Sequence, residues 1–220
     1  MLGLQSILAG FHALSGLFSS HIAGVAFYDP TKSGGSMLDN GRDTLALTVI
    51  ISGLSSPAVL TDAGILQYAQ AIGFSFECLG FHLGAPQSAN LGDGNGWVNQ
   101  TMELRYDFGN DELGTCLESL VGGNHFRVFR QNGTEANSGA LFLAVSQEED
   151  VAEGHTIIPD GYNVGRNLLV AAAVGETSID GVKYSTVAQN LTGLLAPGST
   201  GVNHGISTDG VTVLLTVTIV

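Results

Sequence analysis

The side chains best placed for chemistry begin in the segment Asn124-His125-Phe126-Arg127-Val128-Phe129-Arg130. Successive side chains of a strand face opposite ways, so His125 and Arg127 share one side while Phe126 and Val128 share the other. Farther along, His155 precedes a helix expected to start at Asp160, and Asn163 and Arg166 lie three residues apart on one face of it. Packing the strand beside that helix start would gather His125, Arg127, His155, Asp160 and Arg166 into one cluster. There His125, His155 and Asp160 are the candidates for acid–base work near neutral pH, and Arg127 and Arg166, with Asn163, for holding an anionic group. The competing reading is an ion-paired network that fixes strand to helix, and it is favoured because nothing nearby supplies an activated nucleophile. His204, between Asn203 and Gly205, reads as a turn residue.

Other catalytic signatures are absent: the sequence contains no HExxH, no GxSxG, no Walker loop and no GxGxxG. Gly92-Asp93-Gly94-Asn95-Gly96 spaces oxygen ligands as a calcium loop does but lacks the later ligands, so it reads as a turn. The acidic run from Glu148 to Glu153 reads as a solvated loop. No metal and no cofactor is expected.

These residues need elements to position them. Val25–Tyr28 and Thr44–Ile51 read as strands, the second apolar and β-branched. A first helix is capped by Thr61 or Asp62, turns Ile65, Ala69 and Ile72 inward and stops at Gly73. Phe76–Leu83 is expected to be extended and Trp97–Arg105 to be a strand. A second helix, capped by Asn110 or Asp111, is expected to bury Leu113, Cys116, Leu117 and Leu120. His125–Arg130 and Ala140–Ser146 form a hairpin. The third helix, from Asp160 to Gly175, turns Val164, Leu168, Ala171 and Ala172 inward, and Tyr184–Val187 and Val211–Val220 close the chain as strands. No repeat or linker divides the chain. The expected fold is a single α+β domain over residues 25–220, with a mixed or mostly antiparallel sheet packed by about three helices.

Composition narrows the functional classes. The net charge of −13, with two lysines and five arginines, opposes nucleic-acid phosphates and anionic membrane surfaces. Residues 1–24 carry no charged side chain, and Ile7–Phe18 has the length of a signal-peptide core, so a secretory leader is expected over 1–24. The sequons at Asn99, Asn132 and Asn190 fit N-glycosylation during export. Cys78 and Cys116, outside any metal-ligand spacing, are expected to form one disulfide, the alternative being two buried thiols.

Runs such as GDGNGWVNQT, LGTCLESLVGGNHFRVFRQNG, GALFLAVSQEEDVAEGHTIIPDGYNVGR and GVNHGISTDG resemble a group of secreted fungal proteins over nearly all of the chain that follows the expected leader. The core, with His125, Arg127, Leu141–Ser146, His155, Asp160 and Arg166, is also similar to the LssY-like C-terminal domain of bacterial membrane-associated proteins. It departs from that domain at Phe129, where a tryptophan is expected, and at Asn167, where an acidic residue is usual. The resemblance implies an extracellular protein and carries over no reaction. The function expected is that of a secreted acidic glycoprotein that binds the cell wall or a small extracellular ligand. The alternative is a hydrolase or lyase using the His/Asp/Arg cluster. After leader removal neither nucleic acid nor membrane is an expected partner.

Overall fold

The computed structural model of the chain describes residues 24–39, 44–81, 85–154 and 156–220. Almost all of the expected leader, and His155, lie outside the described residues. Strands without polar alternation must be covered on both faces, and they occupy the middle of the main sheet. β1 (Leu47–Ile51) is buried at every position and lies between β7 (Leu141–Gln147) and β10 (Val211–Ile219). Outward from β7 come β6 (Asn124–Arg130), β5 (Met102–Tyr106) and β2 (Phe74–Phe76). Outward from β10 come β9 (Val182–Thr192) and β8 (Gly175–Ile179). β1 and β10 run parallel and the other neighbours antiparallel, so the α+β fold carries a mixed sheet. β3 (Ser88–Asn90) and β4 (Trp97–Asn99) pair as a separate ribbon.

Among the described residues three α-helices pack on this frame: α1 (Asp62–Ala71), α2 (Gly114–Val121) and α3 (Gly161–Ala173). One apolar cluster joins Ile65 and Tyr68 of α1 and Leu169 and Ala173 of α3 to Phe126, Val128, Leu143 and Leu215 of the sheet. A second, on the other face of the same strands, joins Ile50, Phe129, Phe142 and Leu214 to Ala89 of the β3–β4 ribbon and to Met37, Leu45 and Leu195 from the connections. The sheet is thus covered by α1 and α3 on one side and by connecting segments on the other.

The first helix follows its sequence closely. Thr61 Oγ1 accepts from Gly64 N at 3.0 Å, Ile65, Ala69 and Ile72 are buried, and Gly73 takes a positive φ as the helix ends. The hairpin of β6 and β7 and the buried strand β10 also form as expected.

Elsewhere the structure corrects the sequence reading. Val25–Tyr28 is not a strand; Ala26 accepts a single backbone bond from Gly53. The expected extended run from Phe76 breaks at once into a 3-10 turn over Cys78–Gly80, and Trp97–Arg105 divides between β4 and β5. β8 was not anticipated, although Asp180 and Gly181, both at positive φ, make the tight turn that pairs it with β9. The phase of α3 is shifted: Tyr162, Gly165, Arg166, Leu169 and Ala173 are buried and Leu168 is exposed. Gly165 explains it, since a Cβ there would lie 2.8 Å from the Ser146 carbonyl carbon; the bare backbone is where α3 touches β7. In α2 the expectation is reversed: Leu113, Leu117 and Leu120 are exposed, while Thr115 and Glu118 are buried. Two anchors turn the helix that way, the Cys78–Cys116 disulfide and Gly114, whose α-carbon sits against Asp107 O.

Candidate functional site

Strand alternation does place His125 and Arg127 on one side of β6, and the register sets Arg105 of β5 opposite His125 and Glu103 opposite Arg127. Phe126 and Val128, between them, join the cluster that holds Leu169 of α3, so His125 and Arg127 face away from that helix. Beside His125 stand Glu118, from α2, and Glu148, the residue that follows β7.

The result is a buried network of opposite charges. Arg105 Nη2 donates to Glu103 Oε1 at 2.8 Å, and its Nη1 donates to Glu118 Oε2 at 2.9 Å and to Glu148 Oε2 at 3.3 Å. Its Nε lies 3.7 Å from Glu77 Oε1. Arg127 pairs through Nε with Glu103 Oε2 at 3.1 Å, and its Nη1 lies 3.0 Å from His125 Nε2. Ser146 Oγ is 3.4 Å from the same ring nitrogen. Burial resists the charge on Arg105, but Glu118, Glu103 and Glu148 outweigh it and raise its affinity for the proton. Burial likewise works to raise Glu103, and positive charge on His125, when that ring is protonated, and on Arg127 and Arg105 overcomes it and holds the carboxyl below the ordinary range. His125, only 1% exposed, is pushed down to about 4, chiefly by burial, with Arg127 and Arg105 adding to the effect and Glu148 opposing it. At neutral pH its imidazole is uncharged. Arg127 can only donate, so His125 Nε2 accepts and the ring proton sits on Nδ1. That Nδ1 is buried without a hydrogen-bond partner among the described residues, 3.5 Å from Glu148 Oε1.

The remaining expected residues form a second group. Arg166 clasps Asp209 with two parallel bonds, Nη1 to Oδ1 at 2.6 Å and Nη2 to Oδ2 at 2.8 Å, and also donates to Val211 O at 2.8 Å. Asn163 donates to Asp160 Oδ1 at 2.6 Å and accepts from Asp209 N at 3.2 Å. This group pins α3 to the start of β10. Asp160 stands at the N-cap position, but at φ 63 and with its side chain bound to Asn163 instead of to a helix N–H.

The five-residue cluster expected from the sequence is therefore not assembled among the described residues. His125 and Arg127 belong to one network, Asp160, Asn163 and Arg166 to another, and no described contact joins them; His155 lies outside the described residues. Nor do the arginines wait for an anion, since Arg127 is held by Glu103 and Arg166 by Asp209. Glu103, Arg105, Glu118 and Asp209 were missed. A signal existed for the first two, because Glu103-x-Arg105 repeats the alternation of His125-x-Arg127 with complementary charges. Glu148, read as part of a solvated loop, is one of the network's members. Asp93, in the calcium-like loop, accepts from the backbone of Asn95, Asn132 and Gly133, which fixes a turn.

A separate cleft of about 360 Å³ opens on the α3 side of the sheet. Phe74, Tyr106 and Phe108 line it together with Leu168 and Ala172 of α3, and Asn124 and Gln147 supply polar groups. Tyr106 packs edge-on to both Phe74 and Phe108, at 5.9 and 4.8 Å between ring centroids. The three sequon asparagines, Asn99, Asn132 and Asn190, are exposed, and none of the described helices is long and apolar enough to cross a membrane. Comparison of the chain with protein-family models, with curated proteins and with solved structures returned no match.

Proposed function

We propose that this chain is a secreted, N-glycosylated binding protein that takes a small, largely apolar ligand in the cleft between α3 and the β2–β5 edge of the sheet. The observation that carries the reading is the cleft itself: its volume of about 360 Å³ falls in the range of small-molecule sites, about 300–1,000 Å³, which are mostly apolar with a few polar groups. Asn124 and Gln147 are those polar groups, and the aromatic wall offers flat surface to a ring or an acyl chain. Export is supported by the uncharged apolar leader, the exposed sequon asparagines and the disulfide. An acid–base enzyme has less support, because His125 is sealed beneath α2 and separated from Asp160.

A neutral, environment-sensitive dye, Nile red, tests the cleft. Its fluorescence should rise on the wild-type protein and not on Ala172→Trp, which fills the cleft from an exposed helix position, while the melting temperatures stay alike. Equal binding by both proteins would refute the assignment.

A further inference from the structure

We propose that Glu118, His125 and Glu148 bind one divalent cation of the zinc class, which ties α2 to the sheet. The three residues come from α2, from β6 and from the position just after β7, and each offers a ligand atom within 4.8 Å of the others. Atoms sharing a tetrahedral cation at bonds of about 2.0–2.2 Å stand ~3.4 Å apart. His125 Nδ1 and Glu148 Oε1 lie at 3.5 Å, a spacing that suits a shared cation and makes a poor hydrogen bond. This buried ring nitrogen, aimed at the carboxylates and lacking a hydrogen-bond partner, is what separates the group from an ordinary acidic cluster. The mixed imidazole and carboxylate donors favour zinc over calcium or magnesium, which prefer oxygen alone.

The surroundings fit such a centre. Arg105 Nη1 holds Oε2 of both Glu118 and Glu148, which orients the two carboxylates without occupying Glu148 Oε1. Gly123 gives Glu118 its room, since a Cβ there would lie 2.5 Å from Glu118 Cγ. Binding at Nδ1 requires the ring proton to move to Nε2, where Ser146 Oγ can accept it. Arg127 Nη1 must then leave the ring, while its Nε keeps the pairing with Glu103. The imidazole is neutral before and after, so its proton is relocated and none is released.

The test strips the full-length protein with a chelator and titrates it with Zn²⁺ and with Co²⁺ as a visible probe. One equivalent should bind, the Co²⁺ complex should show the intense absorption of a low-coordinate nitrogen and oxygen site, and zinc should raise the melting temperature. Glu148→Gln, at the most solvent-accessible ligand, should weaken binding about tenfold or more, whereas Glu149→Gln should not. Nitrogen NMR of the wild-type histidines requires no variant: zinc should move the His125 proton from Nδ1 to Nε2. The proposal is overturned if no cobalt band appears, if the band survives in Glu148→Gln, or if saturating zinc leaves the proton on Nδ1.

Discussion

Lowering the pH should cost this protein stability through His125, beginning above the range in which ordinary carboxylates titrate. The ring is 1% exposed and its pKa is pushed from the ordinary 6.5 to about 4, with burial the main cause. Between those values the unfolded chain binds a proton that the native protein refuses, so native stability rises with pH there. The contribution is complete above pH 6.5, shrinks as the pH falls, and is gone below about 4. At ~1.4 kcal/mol for each pH unit the gap amounts to about 3 kcal/mol. For a domain of this size that corresponds to a loss of about 6–12 °C in melting temperature. The assay is denaturant unfolding at a series of pH values with chelator present, comparing wild type with His125→Gln. The variant should lack this part of the slope, and subtracting the two curves removes the other histidines. Glu103, whose carboxyl is held low, also loses its stabilising effect in acid, but only as the pH falls through the ordinary carboxylate value of 4.5, so it overlaps just the acid end of the window assigned to His125. Identical slopes in the two proteins, or a wild type that gains stability between pH 6.5 and 4, would mean that the native ring is charged and would refute the reasoning.

Two further outcomes follow from particular contacts. Replacing Cys78 and Cys116 by serine opens a link spanning 38 residues, which in the chain-entropy account stabilises by about 3–4 kcal/mol; the double variant should show that loss in equilibrium unfolding, and α2 should exchange its amide hydrogens faster. Asp209→Ala should destabilise by about 1–3 kcal/mol, because Arg166 is buried and loses both parallel bonds. Asp209→Asn, which keeps one acceptor, should lie between, and thermal unfolding of the three proteins reads the order.

Much of this fold is legible in the sequence because its signals are local. Thr61, the spacing of Ile65, Ala69 and Ile72, and Gly73 define α1 within one short stretch of chain. The alternation in Asn124–Arg130 places His125 beside Arg127 with no knowledge of the sheet. A local signal was also overlooked: Asp180-Gly181 between two β-rich runs marks the hairpin of β8 and β9. Two cysteines allow only one pairing, and the structure joins Cys78 to Cys116.

Tertiary structure alone decides what faces what. The pattern of α2 offers Leu113, Leu117 and Leu120 to a core, yet the helix buries Glu118, because Arg105 on a strand and the disulfide to Cys78 hold it in the opposite phase. α3 is turned by one position because only Gly165 lets its backbone meet β7. His125 and Arg166 are separated for a related reason: alternation assigns His125 to one face of β6, but which face α3 covers is set by Phe126 and Val128 packing with Leu169. The buried network draws Glu103 and Arg105, Glu118, and Glu148 from three separate places in the sequence. A charge inside a protein is stable only beside its counter-charge, and that neighbour is fixed by strand order and helix phase, which no short stretch of sequence contains.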